Sequence, residues 1–168
     1  MKVEKRQRNS RMCIMCGLDN PYGVRAPFYT MEDKSVVTLF QYSKEHQSYP
    51  NTVHGGLITA MLDEMGLRGM WAEEGGEITY GVTTSLQTKF RKPVPFDTPL
   101  VGRGQLYMNT GHFFGVHSSL YLADGTLLAE ADVKYMKVPV DKLGGTAVEH
   151  AEMCYLIQDD VKEIQLYL

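Results

Sequence analysis

The feature that most constrains this chain is the stretch from Gly55 to Trp71, "GGLITAMLDEMGLRGMW". Leu57, Ile58, Ala60, Met61, Leu62, Met65, Leu67 and Met70 leave it no wide polar side. A helix that is apolar on more than one face has to be buried. The rest of the chain must therefore supply its cover. Gly75-Gly76, after "EE", is the expected stop signal for this helix.

The cover is strand. Before the helix, residues 24–31 and 35–42 read as two strands around the polar turn Glu32-Asp33-Lys34, and "SKEHQSYPN" reads as a loop. After it, "ITYGVTTSLQTKFRKP" alternates, with Tyr80, Val82, Leu86 and Phe90 on one face and Thr83, Ser85, Gln87 and Lys89 on the other. Residues 99–109 and 112–123 follow as a pair around Asn109-Thr110-Gly111. "ADGT" (Ala123 to Thr126) is hairpin chemistry, and residues 126–138 form a last strand that Pro139 ends. Beyond Gly144-Gly145, residues 147–166 read as a terminal helix, with Val161, Ile164 and Leu168 at helical spacing. An antiparallel sheet needs one face covered. The expected architecture is α+β: an antiparallel sheet wrapped around one long central helix, with an extra C-terminal helix.

The 168 residues suit one domain. No repeat or linker divides them. The boundaries expected are a flexible basic tail over 1–11, the sheet-and-helix domain over 12–140 and a C-terminal helical extension over 141–168. The tail holds Lys2, Lys5, Arg6, Arg8 and Arg11 against Glu4 alone and reads as solvated. A net charge of -3 makes the whole chain no polyanion binder, so no nucleic acid is expected. No apolar signal region follows the polar start, and no apolar run reaches about 18 residues, so no membrane partner is expected either. Three cysteines do not suggest a secreted disulfide scaffold. The compartment expected from these features is a reducing cytoplasm. Cys13 and Cys16 form a C-x-x-C with no second pair to complete a zinc site, and the turn-rich "GLDNPYG" that follows is not the helix a thioredoxin-like role would want; they read as packing or incidental thiols, with metal or redox chemistry as the lesser alternative, and neither metal nor cofactor is expected.

Asp63 and Glu64 sit in the middle of the buried helix, and burying an unpaired carboxylate costs several kcal/mol. Glu64 has Arg68 four residues on, the spacing and order of a helical ion pair. Asp63 has no basic residue at three or four positions either way. One reading has it bonded to Thr59 or to backbone and nothing more. The other makes it a general base or nucleophile held in a cleft. At the front of the helix, His54-Gly55-Gly56 presents N–H groups with no intrahelical partner, suited to an anionic oxygen. One reading of His54 is that it only orients that turn. Asp63 lies about 13 Å further along and on the far side of the axis. One chain can hardly bring both ends to one carbonyl, whereas two chains facing each other can. That spacing predicts an active site at a dimer interface.

Four segments, in order, resemble the hotdog-fold acyl-CoA thioesterases, in the branch typified by phenylacetyl-CoA and 4-hydroxybenzoyl-CoA thioesterases. "NTVHGGLITAMLDEMG" resembles their His-Gly-Gly signature, and "CIMCGLDNPYGV" is similar to an opening found in many of them. "YGVTTSLQTKFRKPV" and "LADGTLLAEADVKYM" look like their strand after the helix and their last hairpin. The resemblance covers about Cys13 to Pro139. It implies hydrolysis of an acyl-CoA to free acid and CoA, with the thioester between two subunits of a homodimer that shares one continuous sheet, and a dimer of dimers as the larger assembly. It implies Asp63 as nucleophile or base, the Gly55 N–H as oxyanion donor beside His54, and the Thr83 hydroxyl as a water-positioning group. Gly56, Asn51, Glu64, Thr84, Lys89 and Arg91 are the expected substrate contacts, the cations facing CoA phosphates. Some members carry Asn or Gln six residues before the His, where this chain has Ser48, with His46, Gln47 and Asn51 nearby.

The alternative is a non-enzymatic acyl-CoA or ligand-binding module of the same fold. A dehydratase acting on hydroxyacyl thioesters would need a different motif around its His. The acyl group is not legible: Tyr49, Trp71, Tyr80, Phe113 and Phe114 could line an aromatic pocket or simply pack.

Overall fold

The computed structural model describes residues 1–74 and 78–167. The central helix, α1 (Gly55–Glu73), forms as expected and runs two residues past Trp71. The expected stop at Gly75-Gly76 lies outside the described residues, as does Leu168. Strands β1 (Val3–Arg6), β3 (Tyr29–Met31), β4 (Val36–Phe40), β5 (Gly81–Phe90), β6 (Leu100–Asn109), β7 (Phe113–Leu122) and β8 (Leu127–Lys137) build one antiparallel sheet in the order β1-β3-β4-β6-β7-β8-β5. A short pair, β2 (Asn9–Ser10) and β9 (Cys154–Tyr155), closes beside it. This is the expected α+β architecture, with one long helix on an antiparallel sheet and a small extra helix, α2 (Ala147–Glu152), near the end.

The helix lies very close to the sheet. A Cβ at Gly104 on β6 would fall 2.8 Å from the Met65 carbonyl oxygen, so glycine there sets the depth of contact. Met61, Leu62, Met65 and Met70 pack from α1 against Val36, Leu100, Phe114, Val116, Ala131 and Val133 of the strands. The other flank of α1 is only partly covered. Leu57, Ala60, Asp63, Glu64 and Leu67 are only half-buried, so burial all round the helix is not achieved within one chain.

Both chain ends depart from expectation. The basic start is not frayed: β1 pairs with β3, and the Met1 ammonium donates to the Ile164 carbonyl at 2.8 Å. Arg6 lies over the Tyr29 ring and 3.4 Å from Asp159. The expected terminal helix shrinks to the six residues of α2; after β9 no further helix forms among the described residues. Ile164 is buried there against Tyr29, Met31, Val37 and Val101 on the outer face of the sheet. Pairing with the N-terminal strand and burial of Ile164 override the local helical spacing. No helix among the described residues is long and apolar enough to cross a membrane.

Candidate active site

His54 is the N-cap of α1. Its backbone is extended, and Nδ1 accepts from the Gly56 N–H at 2.9 Å. The motif histidine thus orients the first turn. The consequence for its neighbours is asymmetric. Gly56 has used its N–H, so the substrate contact expected of it has no donor left. The Gly55 N–H makes no hydrogen bond among the described residues. It opens on a groove of about 400 Å³ between the helix start, the end of β5 and the loop before α1, bordered by Ser48, Tyr49, Val53, Ile58, Phe90 and Val94. Tyr49 is 76% exposed and Phe90 54% exposed, an uncovered aromatic margin.

Two and a half turns on, Asp63 is bound by two hydroxyls. Thr83 Oγ1 donates to Oδ1 at 2.9 Å. The Tyr135 hydroxyl lies 3.0 Å from the same oxygen and 2.6 Å from the Asp63 carbonyl. Thr59, the partner one reading gave Asp63, bonds Thr88 instead. Burial pushes the Asp63 carboxyl above its ordinary pKa of 3.8, and neighbouring Glu64 adds to this. The Thr83 and Tyr135 hydrogen bonds pull the other way and do not cancel it. Oδ2 has no hydrogen-bond partner among the described residues. Tyr135 is itself pushed up, by burial first and by the Asp63 charge second, and stays a neutral donor.

Thr83 reaches Asp63 because the strand is irregular. Strict alternation put Thr83 on the face opposite Leu86. The pairing of β5 with β8 slips between Thr83 and Ser85, leaving Thr84 as the extra residue of a bulge. Thr83 stands opposite Tyr135 and Leu86 opposite Val133, so both face the helix. Thr84, expected as a substrate contact, turns its hydroxyl onto the Lys134 carbonyl at 3.0 Å.

Other expected contacts are engaged elsewhere. Glu64 faces away from the groove and pairs with Arg68 at 2.8 Å, as its spacing predicted. Arg91 borders the groove but is paired with Glu130, Nε to Oε1 at 3.1 Å. Lys89, opposite Glu130 on β5, is exposed. Asn51 is exposed and takes a left-handed backbone (φ 61) in the loop before the helix. His46 is buried, with Nδ1 near the Ser43 N–H at 3.0 Å and Nε2 near the Tyr22 carbonyl at 2.8 Å. Of the aromatic candidates only Tyr49 borders the groove. Phe114 stacks on Tyr135, Phe113 is exposed, Tyr80 meets His150, and Trp71 donates to the Thr79 carbonyl and lies against Arg68. Sequence reading missed Tyr135 and Phe90 as site residues. Only the β5–β8 register reveals the first, and alternation on β5 offered the second without saying what it faced.

A family model described as the thioesterase superfamily matches residues 50–129. The acyl-coenzyme A thioesterase THEM4 of Rattus norvegicus is 31% identical over 118 residues, which are 70% of this chain and 49% of that protein. Its Mus musculus counterpart is 30% identical over the same shares. The chain spans about half the length of the curated relatives it matches. Among solved structures, a thioesterase superfamily protein superposes with a TM-score of 0.67 at 25% identity, over 75% of this chain and 60% of that one. A hypothetical thioesterase from Streptococcus pneumoniae, whose crystal structure includes coenzyme A, gives a TM-score of 0.55 at 15% identity, over 62% and 81%. That last likeness is one of fold.

Proposed function

The chain belongs to the thioesterase superfamily, and we propose that it hydrolyses an acyl-CoA thioester to the free acid and coenzyme A at a site shared by two subunits. The observation that carries this reading is Asp63, a carboxylate held by two hydroxyls at Oδ1, with Oδ2 unbonded among the described residues, beside an uncovered sheet edge. Oδ2 takes the proton of an attacking water or attacks the thioester carbonyl itself. The Gly55 N–H at the start of the partner's α1 receives the oxyanion, and CoA leaves as the thiol once protonated.

The shared site follows from helix geometry. Gly55 and Asp63 of one chain are eight residues, about 12 Å, apart along α1. The sheet ends at β5, whose ten residues pair only with β8. Such a long free edge is a ready surface for a second strand. Antiparallel pairing of β5 with its copy about a two-fold axis continues the sheet. It also covers the half-buried flank of α1 and sets the start of each helix beside the middle of the other. Phe90 and Tyr49 then enclose the acyl chain. Lys89 and Lys92 lie at the strand end where CoA phosphates would enter.

The test is a panel of acyl-CoAs of varied chain length and aromaticity, with CoA release followed for the wild type and for Asp63→Asn. Loss of kcat by about 10²–10⁴-fold in a folded variant is expected. Tight binding of acyl-CoA without turnover by the wild type would make the chain a binding module instead. Single turnover in ¹⁸O-water separates the two roles of Asp63, since label enters the aspartate only if it is the nucleophile.

A further inference from the structure

The hydrolysis reading makes no use of Cys13 and Cys16, yet α1 is built around them. Their loop lies on the flank of the helix that carries Glu64 and Arg68, one residue round from Asp63. Cys13 Sγ is 3.6 Å from Glu64 Oε2, and Arg68 Nη2 is 3.0 Å from Cys16 Sγ. The two sulfurs and the carboxylate oxygen lie within 4.8 Å of one another. Backbone N–H groups complete the cradle, Met15 toward Cys13 Sγ at 3.3 Å and Ser10 toward Cys16 Sγ at 3.4 Å. Cys16 is fully buried, while Cys13 reaches the surface.

The surroundings divide the pair. A hydrogen bond from Cys13 holds the Cys16 thiol below its usual range; the Arg68 guanidinium helps, against burial and Glu64. Cys13 is pushed up because its proton serves the Cys16 sulfur, with burial and the Glu64 charge adding to that. The result is a buried sulfur ready to carry charge behind a protonated one at the surface. A guanidinium 3.0 Å from one sulfur repels a cation, and the cluster offers only three ligands among the described residues, which argues against a metal site.

We propose that Cys13 and Cys16 are a reversible modification site, a dithiol that closes to a disulfide by exchange with a low-molecular-weight disulfide, with Cys13 attacking first and Cys16 resolving. Cys13 passes the proton it shares with Cys16 to that sulfur and attacks the small disulfide, forming a mixed disulfide and releasing one small thiolate, which takes the proton back from Cys16. Cys16, as thiolate beside Arg68, attacks Cys13 Sγ, forming the intramolecular S–S bond and expelling the second small thiolate. One small thiol and one small thiolate are released, and the thiolate takes its proton from solvent. Two electrons pass from the protein pair to the small disulfide, which is reduced. Closure takes the sulfur partner from Arg68 and the thiol donor from Glu64, and both of those residues stand on the helix that carries Asp63.

The test uses the full chain carrying Cys154→Ser, equilibrated in glutathione buffers of increasing oxidised fraction, with trapped thiols read by intact mass and peptide mapping. The expected result is a Cys13–Cys16 disulfide in the folded protein, reopened by dithiothreitol. Cys16→Ser should accumulate a stable glutathione adduct on Cys13, and Cys13→Ser should acquire none on the buried Cys16. Retention of both thiols in buffers that close the same pair in urea-unfolded chain would overturn the proposal. So would one zinc ion per chain in the isolated protein, released by thiol alkylation. None of these readouts depends on acyl-CoA turnover.

Discussion

The hydroxyl of Tyr135 reaches Asp63 through space that exists because residue 66 is glycine: a Cβ there would fall 2.1 Å from that hydroxyl oxygen. Gly66 lies three residues after Asp63 on the same helix, so the helix makes room for the group that binds its own carboxylate. Glycine inside a helix costs about 1 kcal/mol relative to alanine, a cost that here admits a hydrogen-bond donor. Gly66→Ala should therefore destabilise, not stabilise, by roughly 1–3 kcal/mol, because the tyrosine ring or the helix must shift. Combining it with Tyr135→Phe, which removes the clashing oxygen, should recover part of that loss. Urea unfolding of the three variants measures this, and a stabilised Gly66→Ala would show that Tyr135 is not held there.

The pH profile carries a sign that can be checked. In the proposed reaction Asp63 works as its carboxylate, so activity should be lost as pH falls through its pKa. Burial raises that pKa above 3.8, and the two hydroxyls partly restrain the rise. The acid limb of kcat/KM should therefore lie above the ordinary aspartate range. Thr83→Val deletes a donor that favours the charged form and should move the limb to still higher pH, with Tyr135→Phe moving it the same way. An unmoved limb in both variants would separate Asp63 from the titration that controls the rate.

Gly55→Pro tests the oxyanion donor without breaking the helix. Proline is well tolerated at the first helical position and lacks the N–H. The extended backbone of His54 (ψ 129) suits a following proline, and a Cβ at Gly55 meets only Phe90, at 3.5 Å. kcat should fall by about 10²–10³-fold with little change in stability. In the proposed dimer, mixing Gly55→Pro with Asp63→Asn and allowing subunits to exchange should restore about a quarter of wild-type activity, since half the dimers would be mixed and each would hold one intact site. No recovery on exchange would place both groups in sites made by single chains.

Much of this was legible in residue order. The all-round apolar character of Gly55–Trp71 announced the central helix, and the Glu64–Arg68 spacing announced its ion pair. What was not legible turned on contacts distant in sequence. The Thr84 bulge inverts the face on which Thr83 lies, and nothing in "GVTTSLQ" marks it, because bulges depend on the partner strand. Tyr135 is 72 residues from Asp63 and becomes visible as its partner only through the register of β5 with β8. The C-terminal segment has local helical spacing, yet Ile164 gains more by burial on the sheet than a short solvated helix would offer. The thiol pair was read as packing because no fourth ligand could be counted; the nearby Arg68 belongs to another part of the sequence.

Arg68 supplies the last prediction. Its side chain is 2% exposed, lies over the rings of Phe28 and Trp71 at 4.7 and 4.6 Å, and is charged in the core. Burial opposes that charge, and the Glu64 carboxylate with the Cys16 sulfur outweighs the opposition, so its pKa is raised. Removing the carboxylate by Glu64→Ala leaves a buried cation with its main counter-charge gone. The expected loss is about 3–5 kcal/mol, far above that of a surface pair. Replacing both members, Glu64→Ala with Arg68→Met, removes the buried charge as well and should recover most of that loss. The comparison of the single and double variants by urea unfolding decides it. If Glu64→Ala costs under about 1 kcal/mol, the pair behaves as a solvent-screened surface contact and the guanidinium is held by the Cys16 sulfur, the Arg8 carbonyl and the aromatic rings.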